Sequence, residues 1–451
     1  MNWKRDLLAE PVANHAGGGA GLHQRLVLFI LTAVQFTSIV DFMIVMPLGP
    51  QLMRTLNITP GQFGLIVSSY TFAAGLAGLV ASVIVDRFDR RTAFMTLYAG
   101  FLIGTLSCAF APNYLSLVLA RVITGAFGGI LGGMSMAIIG DVFPESHRGR
   151  ATGSLMTGFA LASVVGVPLG LVIGTEFGWH MTFIVLAIGG VPTLLLTPFA
   201  MPSLKSHVGQ NTAHPLRSLR TVFLHSNHLK AFALIISLMV SGFTVFPYLS
   251  AYLVGNVGMT EAQLPIIYIA GGVLTLFAAP LVGRMSDRYG KLFMFRLIAP
   301  LSATLLLIIT HLPTGMTMVA VVVFGALMVC NVGRMIPAMA MITSSVEPQY
   351  RGAFLSANSA VQHVAGGVAA YLAGTLITQT SDGGIGNFGT VGWIASISGF
   401  ASLWLAGRLR PAASEMLVGP QVQLASAPAA EVAVDTATTS RPPRVATRST
   451  A

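Results

Sequence analysis

The sequence predicts an all-α integral membrane protein with twelve transmembrane helices in two pseudo-symmetric six-helix bundles and both termini in the cytoplasm. Three observations predict this fold class. Hydrophobic residues make up 54% of the chain and charged residues only 9%, whereas soluble proteins carry about 25% charged residues on their hydrated surfaces. Long apolar stretches recur along the chain, and the basic residues between them fall into alternate loops.

The apolar stretches have the length that a bilayer requires. A hydrocarbon core of about 30 Å needs about 20 apolar residues in a helix. Such stretches lie near residues 26–48, 62–85, 92–111, 115–140, 151–174, 181–200, 230–254, 263–283, 292–312, 316–343, 353–378 and 389–408. The first is long enough to span and leads directly into further stretches, so we interpret it as a retained helix and not as a cleaved signal peptide.

The basic residues of the loops predict the orientation. Arg87, Arg148 and Arg288 lie in loops on one side of the predicted bundle, together with most other lysines and arginines, whereas the loops on the other side contain only Arg54. Cytoplasmic loops carry the excess of basic residues in membrane proteins. We therefore expect the side with the basic loops, and with it both termini, to be cytoplasmic.

The polar stretches predict the domain boundaries. A first bundle at 25–200 and a second at 230–410 are separated by the longest internal polar stretch, 201–229, which we interpret as a cytoplasmic linker. Residues 1–24 form a predicted cytoplasmic N-terminal segment. The tail 411–451 is rich in Ala, Pro, Ser, Thr and Val without helical periodicity, which predicts disorder.

Two motifs occur once in each predicted bundle. Asp86 and Asp287 each precede an arginine at the end of an apolar stretch, and Arg148 and Arg351 each precede a glycine at the start of one. The two copies are about 200 residues apart, and paired halves of this kind are typical of transporters that rock around a central site. The repeat therefore predicts the duplication of a six-helix unit.

The second copy, from Gly283 to Lys291, resembles the loop signature of the major facilitator superfamily, Gly-x-x-x-Asp-Arg-x-Gly-Arg/Lys. The first copy departs from it at Ser82 and Asp89. The resemblance implies a charge latch between the halves, formed here by Asp86, Arg87, Arg90 and Arg91 in the first copy and by Gly283, Asp287, Arg288, Gly290 and Lys291 in the second. The alternative is that these charges only set the topology.

Further motifs in the first bundle are similar to those of the same superfamily. Arg121 followed by Gly125 resembles its Arg-x-x-x-Gly motif in the fourth helix. The fifth helix resembles its glycine–proline motif of exporters, although Val167 separates the expected Gly-Pro pair; the matching residues are Gly158, Gly166, Pro168 and Gly170. The segment that begins at Asp41 looks like the arabinose-efflux-permease-like branch, which comprises bacterial proton-coupled exporters.

Asp41 and Arg121 are the charged residues that we predict to couple transport to protons. A charge at membrane depth costs at least about 2.5–3.5 kcal/mol, so each such residue needs a reason. Burial favours the neutral form of a carboxyl group, which makes Asp41 a candidate proton carrier. The alternatives are a paired structural aspartate, and an arginine that joins helices or binds an anionic substrate.

A second group of polar residues lies at membrane depth in the second bundle. These candidates for the substrate cavity are Asn331, Arg334, Asn358, Gln362 and His363. The alternative is that these side chains only bridge helices, because asparagine and glutamine often hydrogen-bond across membrane helices.

The predicted function is secondary transport of a small organic solute by alternating access, coupled to protons as efflux by antiport; the alternative is a symporter or facilitator for uptake. No His-Glu-x-x-His, Gly-x-Ser-x-Gly or Walker motif occurs, which argues against an enzyme and against ATP-driven pumping. A sensor with a transporter-derived fold is the remaining class. We expect solute, protons and the lipid bilayer as partners, no nucleic acid, cofactor or metal, a functional monomer, and the bacterial cytoplasmic membrane as location.

Overall fold

The computed structural model describes residues 18–84, 87–201, 204, 215–380 and 383–412. Most of the predicted N-terminal segment, residues 202, 203 and 205–214 of the predicted linker and nearly all of the predicted tail lie outside these residues, and so does Asp86 of the predicted latch.

The first half of the chain is the run of helices α1–α8. Their bounds are α1 Gly18–Ile44, α2 Gly49–Leu56, α3 Pro60–Ile84, α4 Arg90–Ala109, α5 Tyr114–Val142, α6 Glu145–Leu161, a π-helical segment Ala162–Gly166, α7 Val167–Phe177 and α8 Trp179–Ala200. A further helix, α9 at Pro215–Leu224, lies in the stretch predicted as the linker.

The second half is the run α10–α16. Its helices are α10 Ser226–Phe243, α11 Phe246–Gly255, α12 Leu264–Tyr289, α13 Lys291–Ile309, α14 Thr317–Ser344, α15 Arg351–Leu376 and α16 Phe388–Arg408, with short 3₁₀ turns at Glu261–Gln263 and Pro348–Tyr350. A small antiparallel hairpin, β1 Thr378–Gln379 and β2 Ile385–Gly386, connects α15 to α16. The described chain is thus almost entirely helical, as predicted.

Eleven helical stretches of the described chain are long and apolar enough to cross a membrane. They correspond to eleven of the twelve predicted spans, with α6, the π segment and α7 counted as one stretch and α10 with α11 as another. The remaining predicted span is α15, which has the length of a span but contains Asn358, Gln362 and His363. Its lower hydropathy has a structural reason, because α15 packs along α3 of the other half.

Proline residues account for the breaks within three predicted spans. A proline in a helix has no N–H to donate, and its ring clashes with the carbonyl group four residues earlier. Pro47 and Pro247 follow the ends of α1 and α10. Pro168 follows the π-helical segment, in which the N–H of Val167 reaches back to the carbonyl of Ala162. Pro47 accordingly ends α1 at Ile44, earlier than the predicted boundary.

The two halves contact each other closely at the end where α3 begins and α15 finishes. A methyl group added to Gly61 would lie 3.5 Å from the backbone of Gly374, and one added to Gly64 would lie 2.9 Å from the carbonyl oxygen of Ala370. Gly272 of α12 packs in the same way on the π segment of the first half. Small residues let these backbones approach closely.

The other end of the molecule, which we call the basic end because it contains the arginine-rich loops, is packed differently. Several glycines near the basic ends of their helices have open space on the side where a methyl group would stand, with no neighbouring atom within 4 Å of it, namely Gly140, Gly153, Gly283 and Gly352. The close contacts between the halves extend from the opposite end, the one that contains α2 and the β hairpin, along α3 and α15 as far as Gly75.

Glycines also fix the packing of α5 on α3 within the first half. A methyl group at Gly125 would overlap the backbone of Tyr70, and one at Gly129 would lie 2.5 Å from the Cα atom of Ala74. By contrast, Gly133 on the same helix faces open space. Glycines follow Arg121 at intervals of four residues. Of these, Gly125 and Gly129 contact α3, and Gly133 does not.

We expect Gly125→Ala to destabilise the protein by about 1–3 kcal/mol, because the added methyl group must push α5 away from α3. The measurement is the thermal unfolding temperature of the detergent-purified protein. Gly133→Ala is the matched control, and its unfolding temperature should equal or exceed that of the parent, because alanine favours a helix more than glycine does. Equal unfolding temperatures for both variants would contradict this packing.

Candidate functional site

Asp41 of α1 and Arg121 of α5 form an ion pair in the interior of the first half. The Nη1 atom of Arg121 donates to the carboxylate Oδ2 of Asp41 at 2.7 Å and lies 3.4 Å from the backbone oxygen of the same residue. The side chains are 0% and 1% exposed, respectively. We predicted these two residues to be functional because a charge is costly in the membrane. The structure shows that their opposite charges neutralise each other.

Neighbouring side chains complete the environment of this pair. Thr105 of α4 donates to the other carboxylate oxygen of Asp41 at 3.0 Å. The guanidinium carbon of Arg121 lies 4.4 Å from the ring centroid of Tyr70, a cation–π contact. The Nε atom of Arg121 is buried without a hydrogen-bond partner in the structure. The sequence analysis did not predict Thr105 or Tyr70, because neither is charged and each is on another helix.

The glycine–proline motif holds α1 in position next to this pair. Methyl groups at Gly158, Gly166 and Gly170 would all collide with or press on α1: they would meet the carbonyl oxygen of Thr32, the side chain of Val40 and the side chain of Ile44, respectively. Val40 is the residue before Asp41. Together with the break at Pro168, these glycines let the fifth span follow α1 closely past the carboxylate.

A second buried arginine lies in the second half. Arg334 of α14 donates to the hydroxyl of Ser241 in α10 and to the amide oxygen of Asn331, both at 2.9 Å. It is 1% exposed, and its Nε atom has no partner in the structure. The structure thus joins two of the predicted cavity residues, Asn331 and Arg334, and adds Ser241, which the sequence analysis did not single out.

The predicted polar residues of α15 are arranged differently. Asn358 is buried with its amide oxygen unpartnered in the structure, whereas Gln362 and His363 are half-buried. A methyl group added to Gly75 of α3 would lie 3.2 Å from the Cβ atom of His363. His363 is therefore at the contact between the halves, and the described hydrogen bonds do not connect it to Arg334.

The first copy of the loop signature forms an ionic network at the basic end. Arg90 pairs with Asp141 of α5, and Arg91 donates to the backbone oxygen of Met201 at 3.4 Å. Asp89, the residue before α4, accepts a hydrogen bond from the backbone N–H of Leu204 at 2.7 Å. The described partners all belong to the first half or to the segment just after it.

The two copies of the signature differ in turn geometry. Gly290 precedes α13 with a φ of 96°, a left-handed value that favours glycine, whereas Asp89 precedes α4 with a φ of −58°. Asp89 therefore does not adopt the left-handed conformation of Gly290, its counterpart in the second copy. Most residues of the two signatures are solvent-facing at this end: Arg87, Asp287, Arg288, Gly290 and Lys291 are exposed, and Gly283 is half-buried.

A salt bridge connects the halves at the opposite end. Arg54 of α2 donates to Glu261, before α12, at 2.5 Å and 3.3 Å. Nearby, the hydroxyl of Tyr248 in α11 donates to the carbonyl oxygen of Ala370 at 2.6 Å, and its ring packs edge-on against Phe63 of the first half. The sequence alone gave no reason to connect Arg54 and Glu261, which are 207 residues apart.

A family model described as the Major Facilitator Superfamily matches residues 31–370 of this chain. The chain belongs to this superfamily. The match covers most of the described helices and includes Arg121 and Arg334. The chain is therefore a multi-pass membrane transporter, as its sequence motifs predicted, and the family is one of transporters and not of enzymes.

Individual relatives agree with this assignment at low identity. The chain is 23% identical over 82% of its length to the "Uncharacterized MFS-type transporter YbcL" of Bacillus subtilis (strain 168), and covers 93% of it. It is 25% identical over 68% of its length to the "Probable sugar efflux transporter" of Pasteurella multocida (strain Pm70), and covers 75% of that protein.

Solved structures show the same fold. The D-xylose-proton symporter has a TM-score of 0.71 at 14% identity, with 86% of this chain and 98% of the symporter covered. A bacterial homologue of the human lysosomal transporter Spinster has a TM-score of 0.66 at 15% identity, covering 85% of this chain and 95% of that one.

We expect Asp41→Asn to destabilise the transporter by about 3–5 kcal/mol, because it leaves the buried charge of Arg121 without a partner. Arg121→Gln should cost less, because Asp41 can then take up a proton and become neutral. The double variant Asp41→Asn/Arg121→Gln should recover part of the loss. Thermal unfolding of all four proteins measures the coupling; losses that simply add would contradict a direct ion pair.

Proposed function

We propose that this protein exports a small organic solute in exchange for protons across a bacterial cytoplasmic membrane. The observation that carries the proposal is the buried pair of Asp41 and Arg121. A carboxylate in the middle of a membrane protein, with one partner for its charge, has two protonation states of very different electrostatic energy. A group of this kind is what coupling transport to a proton requires.

Protonation of Asp41 changes the packing of the helices because it removes the ion pair with Arg121. In the charged state, Asp41 joins α1 to Arg121 of α5. When a proton binds Asp41, the attraction between the two side chains is lost, and Arg121 remains a buried cation that seeks another partner or solvent. Protonation therefore weakens the connection between α1 and α5 and favours a different arrangement of the helices.

The arrangement of the halves supports alternating access. Contacts between them are close at the end that contains the Arg54–Glu261 salt bridge. Given the positive-inside rule, we assign the basic end to the cytoplasm, so the closed end faces outward. The two six-helix bundles, 25–200 and 230–410, are the parts that rock against each other in this proposal, and the signature loops at the basic end act as the latch when that end closes.

The direction of transport is proposed from the first half. The fifth span contains the glycine–proline motif that resembles those of exporters, and the structure uses its glycines to hold α1 beside the coupling residue. The name of the Pasteurella multocida relative, a sugar efflux transporter, agrees with export. We expect the monomer to be the functional unit, because each chain contains both halves of the transport path.

A proton-flux assay tests the coupling. Inverted membrane vesicles that contain the parent or Asp41→Asn are energised, and a pH-sensitive dye reports proton release when L-arabinose, D-xylose or D-glucuronate is added. Antiport predicts solute-dependent proton efflux from vesicles of the parent and its loss in Asp41→Asn.

Two results would contradict the proposal. Proton movement that survives Asp41→Asn removes this residue from the coupling, and proton movement in the same direction as the solute indicates symport. Gly133→Ala serves as the control variant with unchanged flux, because its side chain faces open space.

Cross-linking across the closed end tests alternating access. In Arg54→Cys/Glu261→Cys the two cysteines replace side chains whose ends are in contact. A bifunctional thiol reagent long enough to replace those side chains, with a reducible disulfide in its spacer, should therefore link the halves and abolish solute-dependent proton movement. Reduction should restore it. The single variant Arg54→Cys is the control, and full activity of the linked protein would show that this end need not open.

A further inference from the structure

Within the described chain, Arg334 is a buried arginine without an acidic hydrogen-bond partner. In residues 230–410 the acidic residues are Glu261, Asp287, Glu347 and Asp382, all near the predicted ends of their helices. The described partners of Arg334 are the neutral groups of Ser241 and Asn331. Its guanidinium has more N–H donors than these two hydrogen bonds use, and the buried Nε atom is one that is unused.

The first half has a carboxylate at the position that corresponds to Ser241 in the second half. Asp41 and Ser241 occupy the same place in the repeat, since each lies six residues before the proline that follows a helix break. Each also contacts a buried arginine of the fourth helix of its half. The second half therefore has a buried arginine on the same pair of helices, with a serine hydroxyl where the first half has the carboxylate. Arg334 lies 213 residues after Arg121, so it reaches this place from a different turn of its helix.

The buried charges of the described chain do not balance. Away from the basic end, the buried charged side chains of the described chain are Asp41, Arg121 and Arg334, and the first two neutralise each other. One positive charge is left over. A charge at this depth is stabilised by a partner of opposite sign, and a planar guanidinium is suited to bind a carboxylate through two parallel hydrogen bonds.

The position of Arg334 is suitable for a solute held between the halves. Ser241 is two residues from Phe243, whose ring centroid lies 6.1 Å from that of Phe42 in the first half. Phe42 in turn follows Asp41. The two arginine sites therefore lie on either side of one aromatic contact between the halves, and Asn331 next to Arg334 is half-buried.

We propose that Arg334, with Ser241 and Asn331, binds the carboxylate group of an organic anion, and that the solute carries the negative charge which Ser241 lacks. This inference deepens the proposed function, because it names the chemical class of the transported solute. Coupling through Asp41 and anion binding at Arg334 remain separate claims, each with its own measurement.

Ligand-dependent thermal stabilisation of the purified protein tests the inference without any proton gradient. The probes are three carboxylates, each with a neutral counterpart of similar shape: acetate with acetamide, benzoate with benzamide, and D-glucuronate with D-glucose. At constant ionic strength, at least one carboxylate should raise the unfolding temperature of the parent by several degrees above its neutral counterpart. Arg334→Gln should lose this difference.

Matched variants separate this site from other effects. Arg284→Gln removes an exposed arginine of α12 and should keep the difference, which excludes general binding of anions to the basic surface. Asp41→Asn/Arg121→Gln, which leaves no unpaired charge at the first site, should also keep it while losing proton coupling, so the two proposals can fail independently. The inference is overturned if none of the three carboxylates stabilises the parent more than its neutral counterpart, or if Arg334→Gln retains the difference.

A variant that supplies the missing charge tests the same site without a ligand. Ser241→Asp places a carboxylate at the repeat position of Asp41, next to Arg334. It should raise the unfolding temperature above that of Ser241→Asn, which is similar in size but neutral, and it should abolish stabilisation by the carboxylate probe. If Ser241→Asp unfolds at or below the temperature of Ser241→Asn, a carboxylate next to Arg334 does not stabilise the protein, and the inference is overturned.

Discussion

A charge in the middle of a bilayer must find a partner, and this requirement organises the interior of the protein. Asp41 and Arg121 meet it with each other, on helices that are brought together by glycine contacts on both sides. The fifth span presses its glycines on α1, and α5 presses its glycines on α3. Loss of either contact would move one of the two charges, so packing and electrostatics depend on each other here.

The second half follows the same plan in part. The break at Pro247 corresponds to the break at Pro47, and Arg334 contacts α10, although it lies 213 residues after Arg121 and not at the matching position of the repeat. The carboxylate is absent from the second copy. Under the two proposals the duplicated unit separates two tasks: the half that has the carboxylate responds to protons, and the half that has an arginine without an acidic partner responds to an anionic solute.

The sequence predicted the fold well where one physical rule dominates. Apolar length located the spans, and a repeated motif indicated two halves. The rule was weakest for α15, whose polar residues reduce its hydropathy because it packs along the other half.

The same pattern holds for the site. Asp41 and Arg121 are evident from their cost in the membrane, whereas Thr105 and Ser241 are small hydroxyl residues that resemble many others until the fold brings them beside a charge. Contacts between distant loops, such as that of Arg54 with Glu261, depend on how the two halves meet, and neither local pattern nor charge count connects them.

The central claim is that Asp41 exchanges a proton while it is buried against Arg121. Infrared difference spectroscopy of the protein in lipid vesicles measures this directly, through the C=O stretch of a protonated carboxyl group. Lowering the pH should produce in the parent a band of a carboxyl group shielded from water, separate from the bands of exposed carboxyl groups. This band should be absent from Asp41→Asn, and it should shift in Thr105→Val, which removes a hydrogen bond to the carboxyl group. A band of equal intensity in Asp41→Asn would contradict the account.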